Sequence, residues 1–261
     1  MYYIIQDKLF QIRHYEMLIN ALNKYDLPYQ LVEIIPFTKD IVFEPFDTKN
    51  VFAFGSVKMA HIANKYNWTP GSFMNENMNF NVYKEFYKDN LLNYDSQIIK
   101  YSESFKEPSS LFFARPCEDT KIFTGGVFTK ASWDEMVKHG LKSGISTGFD
   151  TNIAESNVQI SSLKEIQREI RCWIIKGKVI TASQYRIGTK TIYQECTEPY
   201  ILDYCADMIK LWTPSDAFVM DIAITDNGLK IVELNCINCT GFYDSNILKL
   251  IESLETNFNT N

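Results

Sequence analysis

The fold of this chain is constrained most by the stretch from residue 218 to residue 243, which reads FVMDIAITDNGLKIVELNCINCTGFY. Two apolar runs, at 218–224 and 229–234, flank the tripeptide Asp226-Asn227-Gly228. Asp, Asn and Gly favour tight turns, and apolar runs of this length are typical of strands. The stretch therefore predicts a β-hairpin.

Each apolar run carries one acidic residue, Asp221 in the first and Glu233 in the second. We expect a three-residue loop with Gly228 in the left-handed conformation, because this loop places the two acids opposite each other. Asn235 then lies on the same face. A two-residue loop would send Asp221 to the other face. Two carboxylates and one amide oxygen are ligands that Mg²⁺ prefers. The alternative is a pair of solvated acids on an exposed sheet face.

A second group of candidate residues lies upstream, on a predicted strand and the loop after it. The apolar run 111–114 is followed by Arg115-Pro116 at the end of the strand, and the loop 117–126 contains Lys121 and a Gly-Gly pair. A cation at a strand end and a second cation on a glycine-containing loop can hold a polyphosphate from two sides. The alternative is a surface arginine and a surface lysine beside a loop.

A second hairpin is predicted between residues 169 and 184, with its turn at Lys176-Gly177. Arg171 lies in the first strand of this hairpin among apolar neighbours, and a buried guanidinium without an anionic partner would be costly. Glu169, two residues earlier on the same face, is the structural candidate for the partner. A bound phosphate is the functional candidate.

The acidic hairpin carries a resemblance to a known family. Asp221, followed by Glu233-Leu234-Asn235, resembles the metal-binding end of the ATP-grasp superfamily, whose last strands carry an Asp and a Glu-x-Asn element. The resemblance covers about residues 110–250, and residues 1–100 match only loosely.

Within that superfamily, the chain resembles a clade named for one arginine and two lysines. The residues that carry this resemblance are Arg115-Pro116, Lys121 and Gly241-Phe242-Tyr243. Most ATP-grasp members have a lysine where this chain has Arg115, so the role of that lysine does not transfer directly. Lys100 and Lys178 are weak candidates for the second lysine of the clade.

The resemblance implies an α+β protein with the ATP-grasp fold, in which two sheet-bearing subdomains clasp ATP. We expect a small α/β N-terminal domain at residues 1–94 and an ATP-grasp domain at residues 95–261. The subdomains of the latter are expected at about 95–160 and 161–261.

The resemblance also implies roles for individual residues. The cations expected to contact the phosphates of ATP and to act in catalysis are Arg115, Lys121 and Arg171. The residues expected to meet adenine through backbone groups are Ile160, Ser161 and Leu163. The residues expected to bind Mg²⁺, or Mn²⁺ in its place, are Asp221, Glu233 and Asn235. The residues expected near the second substrate are Tyr185, Arg186, Asn238 and Tyr243.

The implied activity is that of an ATP-dependent carboxylate–amine ligase. A carboxylate attacks the γ-phosphate to give an acyl phosphate, and an amine then displaces phosphate, so that ADP and phosphate are released. The substrates could be amino acids, peptide ends or a modified nucleobase amine. Two alternatives stay open: a phosphotransferase on a small molecule, and a non-catalytic nucleotide-binding protein. The complete set of cations and metal ligands favours an enzyme.

Composition limits the remaining choices. A chain of 261 residues with 46% hydrophobic residues can bury a full core. A net charge of −6 disfavours a broad nucleic-acid-binding surface. No stretch is long and apolar enough to cross a bilayer, and the first residues lack the apolar run of a signal peptide, so we expect a cytoplasmic protein. The six cysteines show no framework spacing, and Cys236-x-x-Cys239 lacks the second pair of a zinc site.

Overall fold

The computed structural model describes residues 1–9, 11–35, 38, 40–118, 122–143 and 152–260. The chain forms two compact units, one made of Met1–Asn77 together with Ile166–Asn261 and the other of Met78–Glu165. The domain boundaries predicted after residues 94 and 160 stay predictions. Within the described ranges, no helix has both the length and the apolar character that a bilayer crossing requires.

The first unit begins with a parallel sheet. Its elements are β1 (Tyr2–Gln6), α1 (Ile12–Lys24), β2 (Tyr29–Val32), β3 (Asn50–Phe54), α2 (Val57–Lys65) and β4 (Thr69–Gly71). The strand order is β2-β1-β3-β4, and all three strand pairs are parallel. β3 is buried along its whole length, as expected for a strand covered on both faces.

The described part of the second unit contains an antiparallel sheet and two α-helices. Its elements are α3 (Phe80–Tyr87), β5 (Gln97–Lys100), β6 (Phe112–Pro116), β7 (Gly126–Phe128), α4 (Lys130–Ser143) and β8 (Asn157–Ser162). The strand order is β5-β8-β6-β7. Trp133 of α4 is fully buried and packs against Phe112 and Tyr101, so the helix covers one face of this sheet.

The first unit is completed by the C-terminal part of the chain. Its elements are β9 (Arg168–Ile175), β10 (Lys178–Ile187), β11 (Lys190–Glu195), α5 (Pro199–Leu211), β12 (Ala217–Thr225), β13 (Gly228–Cys236) and α6 (Ile247–Phe258). The strands form an antiparallel sheet in the order β11-β10-β9-β12-β13. Both predicted hairpins, β9–β10 and β12–β13, are present.

One hydrophobic core joins the two sheets of the first unit. Tyr3 and Phe54 of the parallel sheet, Trp173 and Val219 of the five-stranded sheet and Leu250 of α6 are all fully buried in the same cluster. Burying these large side chains together stabilises both sheets at once. The N-terminal residues and the acidic hairpin therefore belong to one folded body.

Asn238 ties the end of the hairpin to the parallel sheet. Its Nδ2 donates to the carbonyl oxygens of Ala53 (2.7 Å) and Gly71 (3.1 Å). Its Oδ1 accepts from the backbone N–H of Phe73 (2.9 Å) and from Sγ of Cys236 (3.3 Å). With two donated and two accepted bonds, every hydrogen-bonding position of the amide is used by the protein itself.

We predict that Asn238→Ala lowers the free energy of unfolding by about 2–4 kcal/mol, because it leaves several buried backbone groups without partners. Urea denaturation of the purified protein measures this change. The matched control is Asn64→Ala on the exposed face of α2, which should cost no stability. Equal midpoints for the two variants would contradict the structural role of Asn238.

Candidate active site on the five-stranded sheet

The acidic hairpin has the predicted pairing but reaches it by a different path. Asp221 lies directly opposite Glu233, as predicted, and Gly228 has the expected left-handed backbone with φ of 91°. The turn, however, closes with Thr225 opposite Gly228, so its loop has two residues rather than three. A β-bulge between Asp221 and Ile222 then shifts the register and leaves Val232 as the extra residue. The bulge therefore brings Asp221 opposite Glu233, which the three-residue loop was expected to do.

Arg171 and Asp221 form a buried ion pair across two neighbouring strands. The residues are direct partners in the β9–β12 register. Nε of Arg171 donates to Oδ1 of Asp221 at 2.8 Å, and Nη2 donates to Oδ2 at 2.7 Å. Nη1 also reaches the carbonyl oxygen of Gly241 at 3.4 Å. This bidentate geometry is the strong form of an arginine–carboxylate pair.

The structural partner predicted for Arg171 was therefore wrong. Glu169 instead accepts a hydrogen bond from the hydroxyl of Tyr185 at 2.5 Å and forms an ion pair with Arg186. Asp221 takes its place because strand β12 lies beside β9, a neighbour that the local sequence around Arg171 does not reveal. The contact of Arg171 with a phosphate stays a prediction.

The electrostatics of the pair depend on burial. Burial raises the pKa of Asp221 to about 6; the charge and hydrogen bonds of Arg171 oppose this rise, and the neighbouring Glu233 carboxylate adds to it. Burial acts to lower the pKa of Arg171, but Asp221 more than offsets it, so the guanidinium stays charged. Two interacting carboxylates beside one arginine leave an excess of negative charge at this point of the sheet.

The donor set at this point fits a hard divalent cation. Asp221 interacts with Glu233 closely enough to share a hydrogen bond. A bound cation would reduce the repulsion between two such carboxylates. Asn235 follows on the same strand, and its buried Nδ2 has no hydrogen-bond partner within the described ranges. An amide turned the other way would present its oxygen there. The described residues include no group of three or more His, Cys, Asp or Glu suited to a metal, so a site here would use two carboxylates and an amide.

Tyrosine rings cover the ion pair. The ring of Tyr243 lies 4.9 Å from Cζ of Arg171, and the ring of Tyr185 lies 5.7 Å from it. These two rings stack on each other at 4.8 Å, and the ring of Tyr193 on β11 follows at 5.1 Å from Tyr243. Tyr185 and Tyr243 were predicted near the second substrate, whereas Tyr193 was not predicted, because it lies in a polar strand with no distinguishing pattern.

His14 is a further residue that the sequence did not single out. It lies on α1, is only 4% exposed, and meets the rings of Phe242 and Tyr243 edge-on at 6.1 and 6.3 Å. Its Nε2 has no hydrogen-bond partner in the part of the chain that the structure describes. Burial lowers the pKa of His14, and the charges of Arg13 and Arg171 lower it further, so the imidazole is neutral near pH 7.

The remaining predicted residues belong to the second unit or cannot be described. Arg115 lies on β6 opposite Gln159 of β8, and Gly125 approaches it so closely that an added Cβ would lie 3.0 Å from the Cβ of Arg115. Ile160 and Ser161 lie on β8 and are buried, whereas Leu163 follows the strand and is exposed. The predicted phosphate contact Lys121 lies outside the described residues. These assignments stay predictions.

The comparison with protein families decides the identity. Residues 55–254 match the model of an ATP-grasp domain, family 3 of the clade named for one arginine and two lysines. The chain belongs to this ATP-grasp family. The resemblance stated from Asp221, Glu233 and Asn235 is thereby confirmed, as is the expected α+β fold. ATP-grasp domains bind ATP.

Solved structures of ATP-grasp proteins share the fold. D-alanine–D-alanine ligase from Coxiella burnetii matches with a TM-score of 0.64 and 11% identity, covering 97% of this chain and 93% of that one. An ATP-grasp RimK domain protein from Sphaerobacter thermophilus matches with a TM-score of 0.59 and 10% identity, over 95% and 92% of the two chains. D-alanine–D-alanine ligase from Bacillus anthracis, complexed with ATP, matches with a TM-score of 0.55 and 17% identity, over 98% and 91%. A search of curated proteins finds no match.

We predict that Arg171→Leu lowers the free energy of unfolding by about 3–5 kcal/mol, because it leaves the Asp221 carboxylate buried without its cation. Urea denaturation at pH 7 gives the value. Lys210→Ala, which breaks the exposed Lys210–Asp207 pair of α5, is the control and should cost less than about 1 kcal/mol. A loss for Arg171→Leu no larger than that of the control would show that the ion pair does not support the fold.

We also predict a pH-dependent contribution of Asp221. Its pKa is raised in the folded state, so the stability it contributes is fully present below its ordinary pKa and is lost as the pH rises through about 6. The unfolding free energy of the wild type minus that of Asp221→Asn should therefore fall by on the order of 2 kcal/mol between pH 4 and pH 7 without divalent cations. Denaturation curves across this range measure the difference, and a flat or rising difference would contradict the raised pKa.

Proposed function

We propose that this protein is an ATP- and magnesium-dependent ligase that joins a carboxylate to an amine. The observation that carries the proposal is the placement of Asp221, Glu233 and Asn235 on one hairpin beside the guanidinium of Arg171. Membership of the ATP-grasp family and the likeness in fold to D-alanine–D-alanine ligases support it.

The charges of the site suit a metal–polyphosphate complex. Asp221 and Glu233 together carry two negative charges when ionised, and Arg171 compensates one of them. A divalent cation on the hairpin would leave one positive charge in excess, which an anionic phosphate group would balance. When bound, Mg²⁺, or Mn²⁺ in its place, would be held by Asp221, Glu233 and Asn235 and would neutralise negative charge on the phosphates.

The residues of the chain then have separate roles. Arg171 keeps the buried Asp221 ionised and oriented, because its two N–H groups fix both carboxylate oxygens. Glu233 and Asn235 supply the remaining protein ligands to the cation. Arg171, Arg115 and Lys121 would neutralise the charge that develops on the transferred phosphoryl group.

The reaction balances without an acidic or basic side chain in its first step. An oxygen of the substrate carboxylate forms a bond to the γ-phosphorus, and the bond to the bridging oxygen of ADP breaks. The nitrogen of the amine then forms a bond to the acyl carbon and phosphate leaves, while the amine loses a proton to water or phosphate. The products are an amide, ADP and phosphate. Because the reaction consumes ATP, we expect it to take place in the cytoplasm.

We predict that Glu233→Gln weakens ATP binding in the presence of Mg²⁺ by at least tenfold and slows ADP formation by at least a hundredfold, since a metal ligand loses its charge. Glu233 is a better probe than Asp221, whose loss would also leave Arg171 unpaired. Calorimetry with and without Mg²⁺, followed by an ADP assay with mixed amino acids, measures both effects. Glu252→Gln, on the exposed face of α6, is the control and should behave as the wild type.

Two outcomes would overturn the proposal. The ligase assignment fails if the folded wild type does not bind ATP at millimolar concentration. It also fails if ADP forms with a carboxylate or hydroxyl compound alone and a stable phosphorylated product accumulates, because that result identifies a phosphotransferase.

A further inference from the structure

Three tyrosine rings form a continuous row that starts at the candidate site and ends at the sheet edge. Tyr185 and Tyr243 stack with centroids 4.8 Å apart and an angle of 21° between their planes. The ring of Tyr193 also contacts the ring of Tyr243, with centroids 5.1 Å apart and an angle of 30° between the planes. The guanidinium of Arg171 lies beside the two inner rings, 4.9 Å from the middle ring, Tyr243, and 5.7 Å from Tyr185. Near-parallel rings at these spacings are favourable aromatic contacts.

Two local departures from regular backbone accompany this row. Tyr185 lies where the register of β10 shifts against both of its neighbours, β9 and β11. Tyr243 has a φ of 52°, a left-handed conformation that is uncommon for an aromatic residue. Strain of this kind persists where the surroundings fix it, and it is concentrated at functional sites. Both departures concern the residues whose rings lie beside the guanidinium of Arg171.

The outer end of the row is accessible. Tyr193 lies on the edge strand β11. The side chain of Tyr193 is half-buried, and the other side chains of this strand are exposed. Its hydroxyl has no hydrogen bond within the described ranges, whereas the hydroxyl of Tyr185 is bound to Glu169. Tyr193 therefore contributes a ring surface rather than a polar group, on the same sheet as the candidate metal ligands.

We propose that the row Tyr185–Tyr243–Tyr193 is a stacking platform for a planar ring carried by the acceptor substrate, and that Tyr193 determines this specificity. The inference rests on the proposed function, since it names the class of acceptor that the same site would take. An aromatic or heteroaromatic ring would extend the row by one more stacked contact. The ring could belong to an aromatic amino acid or to a nucleobase, and the two sources are separated by the choice of probe.

The test compares Tyr193→Leu, which removes the ring, with Tyr193→Phe, which keeps it. Calorimetry measures binding of phenylalanine, of cyclohexylalanine, its saturated counterpart, and of adenosine in the presence of Mg²⁺ and ADP. The wild type and Tyr193→Phe should bind at least one of the two planar compounds about tenfold more tightly than cyclohexylalanine. Tyr193→Leu should lose that preference. Tyr200→Leu, on the exposed start of α5, should bind as the wild type.

Equal affinity of the wild type for planar and saturated compounds, or no binding of either planar compound, would overturn the platform. An unchanged preference in Tyr193→Leu would overturn it too, as would a loss of ATP affinity in that variant with acceptor binding intact.

The two proposals fail separately. Preferential ring binding without ADP formation leaves the platform and removes the ligase, whereas ADP formation that is equally fast with aliphatic acceptors leaves the ligase and removes the platform. Circular dichroism and thermal unfolding confirm that each variant is folded.

Discussion

The buried ion pair between Arg171 and Asp221 is the interaction on which the rest of the site depends. Its two members lie directly opposite each other on β9 and β12, so both side chains reach the same face only in the observed register. A slip of one residue would leave each charge buried without a partner, and the cost of such a state is several kcal/mol. The pair therefore fixes the alignment of the central strands, and with it the position of Glu233 on the next strand.

The apolar core explains how this charged pair can be held so rigidly. On the same face of the sheet, the side chains that follow Arg171 and Asp221 toward one end are Trp173 and Val219, which are fully buried. The next pair on this face in the other direction, Glu169 and Ala223, is buried as well, so the ion pair is enclosed on both sides along the strands. Asn238 adds a polar connection from the end of β13 to the parallel sheet. The N-terminal part of the chain consequently acts as a structural support for the hairpin.

The features that could be predicted depend on interactions between residues close in the sequence, and those that could not depend on which distant strands lie side by side. Turn chemistry and side-chain alternation act locally, and they were sufficient to predict the hairpin. The pairing of Asp221 with Glu233 was predicted from a three-residue loop, but it depends on a bulge inside the sheet that the local pattern did not predict. The need of Arg171 for an anionic partner was also predictable, but the identity of that partner depends on strand order, which no local pattern encodes. Strands β1 and β11 were not predicted, because β1 precedes a helical pattern and β11 is a polar edge strand. Tyr193 was missed for the latter reason.

The β-bulge at Val232 has a consequence for the variation of this hairpin. A turn of two residues with a bulge and a turn of three residues without one bring the same two carboxylates face to face. Both arrangements contain the same number of residues between Asp221 and Glu233, so the extra residue can lie in the turn or at the bulge while the two acids still share one face. At constant chain length, the number of residues in the exposed turn is therefore coupled to the presence of the bulge inside the sheet.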